Sequence, residues 1–309
     1  MMVTRRYRIL AIVTCIGMLL VLLGGALVTN TGSGEGCGTD WPLCHGKFIP
    51  AKSLESLIEY SHRFLTGVEG LLVVATLLAT LIGYRKHREP IIYAAAAFVL
   101  TVVQALMGRA AVIWPTSAPV MALHFGISML AVAATLLLVI WTGRARRGVH
   151  TTTLTVPRSV FPFVLATTVY CYVVVYIGAF LRHTDSAGGC VGWPLCNGEV
   201  IPELEGATLF VFIHRVAAMI FGLAIVALYL HIRRVSGSGG VDMKRPAGWV
   251  LTLVVAQILS GAWLTATIGN EEWFIFTNLL HNVIITGLFG LLIDMTIRAK
   301  RLQEGRRHG

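Results

Sequence analysis

Charge is what this sequence has least of. Of its 309 residues only 13% are Asp, Glu, Lys or Arg, while 56% are hydrophobic and the mean hydropathy is +0.75. A soluble domain carries roughly 25% charged residues, so the shortage excludes an ordinary soluble globule and places the chain in a lipid bilayer. Acidic residues are the scarcer sign, 15 against 25 basic ones, for a net charge of +10. That excess would suit nucleic acid if it formed a continuous surface. It is instead broken into short clusters between apolar runs, the pattern of membrane orientation signals, and no nucleic-acid partner follows from it.

A helix needs about 20 apolar residues to cross a bilayer. Ile9–Val28 is the first such run and contains no charge. Arg5, Arg6 and Arg8 before it could make it a signal peptide, but its counterpart in the second half, Phe161–Leu181, cannot be one, and it is read as the first span. The other spans are expected at Glu59–Tyr84, Pro90–Ile113, Ala118–Trp141, Phe161–Leu181, Ala207–Leu230, Pro246–Ile268 and Phe274–Met295. Of the 25 Lys and Arg residues, 19 fall at the two ends and in alternate loops, and the opposite loops hold only Lys47 and Lys52. The positive-inside rule then puts both termini in the cytoplasm. Trp114 and Trp273 fall at outer helix ends and Trp141 and Trp249 at inner ends, as an interfacial belt requires.

The sequence contains one stretch twice. Gly25 to Arg63 carries Cys37, Trp41-Pro42-Leu43-Cys44 and, near its end, His62. Gly178 to Arg215 carries Cys190, Trp193-Pro194-Leu195-Cys196 and His214. Gly25 and Gly178 lie 153 positions apart, as do Cys37 and Cys190, and one residue is lost before His214, 152 positions after His62. Gln104 to Gly108 aligns with Gln257 to Gly261 at the same offset of 153. An offset kept over such a span marks internal duplication. The expected fold is an all-α integral membrane protein of eight transmembrane helices. These form two tandem four-helix bundles, residues 1–143 and 160–309, joined by a cytoplasmic linker at 144–159. Four helices per copy is an even number, so both copies have one topology and are related by a pseudo-twofold along the membrane normal.

Of the ten histidines, His45, His87, His150, His183, His231 and His308 lie in loops, at helix ends or in the tail. His62, His124, His214 and His281 lie inside spans, all about 5–10 Å from the outer end at 1.5 Å per residue. A single intramembrane histidine can be a hydrogen-bonded packing residue. Four at one depth, two per bundle, point to ligation: two imidazoles facing each other across a bundle are an axial pair for haem iron. Zinc suits the pattern less, because the second bundle offers no carboxylate or thiolate to complete a tetrahedron. Arg63 and Arg215 directly follow the first histidine of each half and are candidates for haem propionates, the alternative being arginines that snorkel to the interface.

Cys37 and Cys44 share one outer loop and Cys190 and Cys196 the other. On the oxidising side each pair should form a disulfide, holding a lid over the site below, with a redox role as the alternative. Zinc on the first pair with His45 is a weaker third reading, because the second copy has Asn197 at that position. Cys15 and Cys171 sit within helices as packing residues.

The copies differ where chemistry would. Glu59 precedes His62 by three residues on the same helix face, and its counterpart is Val211. It is a candidate catalytic carboxylate, with pairing to Arg63 or solvation at the helix start as the plainer roles. Glu69 is its rival, two turns below His62, with Phe221 as counterpart.

The segments Gly24-Gly25-Ala26-Leu27-Val28-Thr29, Thr31-Gly32-Ser33-Gly34, Trp41-Pro42-Leu43-Cys44-His45-Gly46 and Glu59-Tyr60-Ser61-His62-Arg63 resemble bacterial haem A synthase. So do Met121-Ala122-Leu123-His124-Phe125-Gly126 and Tyr176-Ile177-Gly178-Ala179-Phe180-Leu181-Arg182-His183-Thr184. The resemblance covers nearly the whole chain. It implies a bacterial plasma-membrane oxidoreductase that converts haem O, delivered by a haem O synthase, to haem A for terminal oxidases by oxidising a ring methyl to formyl. It implies haem b on His214 and His281, the substrate haem on His62 and His124, Glu59 as the catalytic carboxylate, and an electron acceptor or donor. The other classes open to the sequence are a quinol-linked di-haem b-type cytochrome, a non-enzymatic haem carrier and a thiol oxidoreductase built on the loop cysteines.

Overall fold

In a computed structural model the chain is described over residues 3–48, 52–146, 157–235 and 241–305. Much of the expected 144–159 linker, Arg147, His150, His308, part of the Ser/Gly-rich loop at 236–240 and the end of the basic tail lie outside the described residues. The α-helices are α1 Arg5–Asn30, α2 Leu54–Gly83, α3 Arg88–Ile113, α4 Ala118–Arg146, α5 Val160–His183, α6 Gly206–Val235, α7 Val241–Ala266 and α8 Glu271–Gly305. All eight are long and apolar enough to cross a membrane, and the protein is an all-α, multi-pass membrane protein.

Several helices outrun the spans read from hydropathy. α2 begins five residues before Glu59, and α8 extends to Gly305 rather than Met295. Hydropathy reports only the stretch that matches hydrocarbon. The helix ends are set by capping: Ser53 Oγ accepts from Ser56 N–H at 3.2 Å at the start of α2, and Asn270 Oδ1 accepts from Trp273 N–H at 3.2 Å at the start of α8. α7 begins one turn before Pro246, which lies inside the helix.

The chain divides into two compact units, Met1–Val149 and His150–Gly309. In the first, α1 and α3 each pack against both α2 and α4, so α2 and α4 stand on one diagonal of a four-helix bundle. Tyr7 Oη and Thr80 Oγ1 share a hydrogen bond of 2.7 Å across the α1–α2 seam, and Thr14 and Thr76 one of 2.8 Å. Arg144 of α4 pairs with Glu89 of α3 at 2.6 Å. In the second unit α5 and α7 each pack against both α6 and α8, which puts α6 and α8 on the diagonal. Its core is apolar, with Ile225, Leu228, Ile232, Leu288, Leu292 and Met295 all buried. With no water inside a bilayer, side-chain hydroxyls must find partners across helix seams, and the threonines here do so.

The two connections that carry cysteines are built alike. Each opens with a single 3-10 turn, Ser33–Glu35 or Ser186–Gly189. Each is closed by a disulfide, Cys37–Cys44 and Cys190–Cys196, with Cα–Cα distances of 4.4 and 4.8 Å. Each has a cis peptide before Pro42 or Pro194. His45 and Asn197 adopt left-handed backbone angles, φ 49° and 56°, and reach back to the carbonyls of Gly36 and Gly189. One structural task explains why histidine and asparagine alternate at this position. Cys15 and Cys171 are free thiols within α1 and α5.

Gly36 and Gly189 let the loops lie on the first turn of the next helix. A methyl group at Gly36 would collide with the backbone of Glu55 and Ser56, and one at Gly189 with that of Ala207 and Thr208. Overpacking of this kind costs about 1–3 kcal/mol. Gly36→Ala should therefore lower the thermal denaturation midpoint of the detergent-solubilised protein, while Gly34→Ala, whose nearest neighbour is a Val28 methyl at 4.0 Å, should not. Equal midpoints for the two variants would contradict this docking.

Candidate functional site

The four intramembrane histidines lie on the diagonal helices. His62 is on α2 and His124 on α4; His214 is on α6 and His281 on α8. They fall between the seventh and eleventh helical residues, roughly 9–15 Å from the helix starts at 1.5 Å per residue. That is deeper along the helix than expected, because the helices begin earlier. His214 and His281 are within electrostatic reach of one another.

Each ring faces a glycine on the preceding helix. A β-carbon at Gly24 of α1 would lie 3.0 Å from His62 Nδ1, and one at Gly25 3.4 Å from its Cε1. One at Gly178 of α5 would lie 2.8 Å from His214 Cε1, one at Gly261 of α7 3.3 Å from His281 Cε1, and one at Gly108 of α3 3.9 Å from His124 Cε1. Gly25 and Gly178 share the repeat offset, as do Gly108 and Gly261, so the signal was present in the sequence without a task attached to it.

Buried polar atoms are normally hydrogen-bonded. Nδ1 of His62 and Nδ1 of His214 are buried with no such partner among the described residues. His281 is held at both nitrogens, Nε2 by Gln257 and Nδ1 by Ser260 Oγ, each at 2.8 Å. Gln104, the counterpart of Gln257, donates to the His124 carbonyl at 2.8 Å. Beside His62 an apolar groove of about 260 Å³ is lined by Gly24, Leu27, Leu57, Ile58, Ser61 and Leu65. The unpartnered Nδ1 of His62, the diagonal placement of the histidines, a glycine against each ring and an apolar groove between α1 and α2 fit a flat, apolar, iron-bearing ligand. Among the described residues no cluster of three or more His, Cys, Asp and Glu side chains gathers as a bare metal ion would need.

Arg63 and Arg215 point into the loops. Arg63 Nη1 donates to the carbonyls of Asp40 and Leu43 at 2.9 and 2.5 Å, and Nη2 to Gly38 O at 3.3 Å. Arg215 donates to Leu195 O at 2.9 Å and Cys190 O at 3.2 Å. Each guanidinium ties a disulfide loop to its helix, and sequence could not show this because the acceptors are backbone carbonyls. Arg63 Nε is buried with no hydrogen-bond partner among the described residues.

Glu59 is 4% exposed. Its Oε1 pairs with Arg63 Nη2 at 2.5 Å and its Oε2 accepts from Cys37 N–H at 2.7 Å. Val211, its counterpart, packs on Cys190 and Cys196 with Leu181. The same place beneath the disulfide holds a carboxylate in one unit and an apolar residue in the other. A further arginine, Arg109 of α3, lies over the Trp41 ring at 6.0 Å; its repeat counterpart is Ala262.

Eight apolar helices with paired histidines on bundle diagonals define a multi-pass membrane protein of the ligand-carrying helix-bundle class. The chain matches the COX15-CtaA family, described as cytochrome oxidase assembly protein, over residues 8–293, and it belongs to that family. It is similar to the heme A synthase of Alkalihalophilus pseudofirmus, at 36% identity over 95% of this chain and 97% of the relative. It is 38% identical to that of an Exiguobacterium species, over 93% and 91% of the two chains. With that of Bacillus licheniformis it shares 39% identity over 96% of each.

Hydrogen bonds from a charged group contribute about 1.5–3 kcal/mol each. Arg63→Ala removes several at once from the first loop and should make Cys37–Cys44 reducible by dithiothreitol at least about tenfold faster, with Cys190–Cys196 unchanged. Differential thiol alkylation with peptide mapping reads both; an unchanged rate at the first pair would show that the arginine does not hold the loop.

Proposed function

We propose that this protein is a haem A synthase of a bacterial plasma membrane, an oxidoreductase that oxidises the methyl group of haem O to a formyl group. The observation that carries the reading is the unequal pair of sites. Both units hold diagonal histidines, and only the first sets a buried, ion-paired carboxylate one turn from its histidine. Both termini lie in the cytoplasm and the disulfide loops on the outer side, as the basic clusters require.

The substrate haem belongs between His62 and His124 and a resident haem b between His214 and His281, where it supplies one-electron transfer. Ser260 Oγ holds Nδ1 of His281, as an outer hydrogen-bond partner of a ligating imidazole does, so Nε2, now bonded to Gln257, is the nitrogen that would hold the iron. Arg63 Nε is the unpaired donor available to a carboxylate of the substrate. Oxidising a methyl group releases protons and develops positive charge at its carbon. Glu59, held by Arg63 Nη2 and Cys37 N–H, is placed to offset that charge or accept a proton. Haem O comes from a haem O synthase, and an electron carrier takes up the reducing equivalents.

A second reading is supported by one observation. Both Glu59 oxygens are already bonded, which suits a brace in a di-haem b-type cytochrome. The two separate in Glu59→Gln, which keeps the size of the side chain and removes its charge. On the synthase reading the variant folds, carries haem in both units and makes at least about a hundredfold less haem A, measured by pigment extraction after expression with a haem O source. On the brace reading, Glu59→Gln and Arg63→Ala lose haem retention alike. Near-normal haem A from Glu59→Gln would remove this carboxylate from the reaction.

For the second unit, His214→Ala and His281→Ala should each abolish the low-spin bis-histidine spectrum of haem b. An unchanged spectrum in both variants would refute that assignment.

A further inference from the structure

One buried carboxyl group among the described residues of the first unit has no hydrogen-bond partner. Glu69 lies on α2, two turns below His62, and is 1% exposed. Neither of its oxygens has a hydrogen-bond partner among the described residues. An ionisable side chain held unpaired in hydrocarbon is costly and marks a functional site. The facing helix makes room for it: a methyl group at Gly17 of α1 would run into Glu69 Oε2. In the second unit the corresponding positions are Tyr170 and Phe221, whose rings stand 6.4 Å apart. Where one unit fills the seam with two aromatic rings, the other keeps a glycine and a carboxyl group.

Below Glu69 the same seam carries a line of hydroxyls. Thr14 and Thr76 are 2.8 Å apart, Thr80 Oγ1 donates to Thr76 O at 2.7 Å, and Tyr7 Oη meets Thr80 Oγ1 at 2.7 Å. All four residues are buried. Their counterparts are Thr167, Leu228, Ile232 and Val160, so the line exists in the first unit alone. Thr14 is three residues from Gly17 on α1, a rise of roughly 4.5 Å, so the line of hydroxyls begins about one turn below Glu69. The other groups facing Glu69 are few. Cys15 of α1 is within electrostatic reach. α3 carries no titratable side chain between Tyr93 and Arg109, and α4 none between His124 and Arg144.

We infer that Glu69 is the proton-exchanging group of the first site. It takes up one proton when the iron bound between His62 and His124 gains an electron from a one-electron carrier, and gives it up when that electron leaves. The proton travels by Thr14, Thr76, Thr80 and Tyr7 to the membrane face at which α1 begins. Charge created in a medium of low dielectric constant is felt over the roughly 10 Å between Glu69 and His62, and a proton that follows the electron cancels it. This rests on the haem-binding reading given above.

The test uses the full, haem-loaded chain in lipid nanodiscs. The first-site haem is identified as the signal lost in His62→Ala, and its midpoint potential is titrated at several pH values. In the wild type that potential should fall as pH rises, and Glu69→Gln should lose most of the slope while the His214–His281 haem keeps its own. The redox-difference infrared spectrum of the wild type should show a protonated-carboxyl C=O band that Glu69→Gln lacks. Thr76→Val should keep the slope and slow the proton-coupled phase at least tenfold. A normal His62-dependent signal with the same slope and band in Glu69→Gln overturns this inference alone. If that variant does not accumulate, a wild-type spectrum without the carboxyl band overturns it equally. The absence of any His62-dependent haem signal overturns the haem reading, and this inference with it.

Discussion

An imidazole nitrogen inside a bilayer has no water to fall back on. It must bond to the protein or to something the protein holds, and each unit is arranged around that requirement. The histidines occupy diagonal helices, where their rings face the bundle interior rather than lipid. Glycine on the preceding helix sets how closely each ring approaches its neighbour. At His281 the protein supplies both partners itself, through Gln257 and Ser260. Among the described residues Nδ1 of His62 and Nδ1 of His214 have no hydrogen-bond partner, although the His214 ring bonds the backbone of Val174.

The outer loops follow from the same constraint one layer up. A loop that lies over a helix end carries carbonyls and N–H groups that need partners, and a short disulfide ring cannot supply them all. Arg63 and Arg215 supply donors from below, and Ser56 and Thr208 hydroxyls take the carbonyls of Gly36 and Gly189. In the first unit Glu59 adds an acceptor for Cys37 N–H. The result joins the α2 segment around His62 to the Cys37–Cys44 ring, so that disturbing either is felt by the other. This coupling explains why the repeated stretch extends from a glycine in the first helix of each unit to an arginine in the second. All of its parts contact one another.

Much of this was legible in the sequence. Hydropathy gave all eight helices, the near-constant offset of the repeat brought out both cysteine pairs, and a shared depth inside the spans singled out the four histidines. The offset works because duplication preserves what packing and ligation both require. Helix ends were read short because hydropathy follows only the apolar stretch: α2 starts at the Ser53 cap, and α8 runs on through its charged end to Gly305. The loop-holding contacts of Arg63 and Arg215 were not legible, because their acceptors are backbone carbonyls, which a sequence does not display. The glycines beside the imidazoles were visible only as matched letters, since the space a missing β-carbon leaves has meaning only against a neighbour. Glu69 was visible as a rival to Glu59, but its exposure to Gly17 and its lack of a partner needed the fold.

Duplication also supplies an internal control for which polar groups belong to chemistry and which to packing. Residues kept in both copies, the histidines, the arginines beneath the loops and the glycines beside the rings, serve needs common to both units. Residues polar in one copy and apolar in the other cannot serve the fold alone, because the other copy folds without them. Val211 fills the place of Glu59 and packs on the disulfide; Phe221 fills that of Glu69, with Tyr170 against it; Leu228 and Ile232 stand where Thr76 and Thr80 line the seam. Each apolar replacement is the cheaper solution inside a membrane. The first unit keeps the costlier set along one helix seam, from the inner end of α1 to the loop above His62. Along the matching seam the second unit sets Val160, Tyr170, Phe221, Leu228 and Ile232, so the two seams differ in polarity while the helices around them correspond.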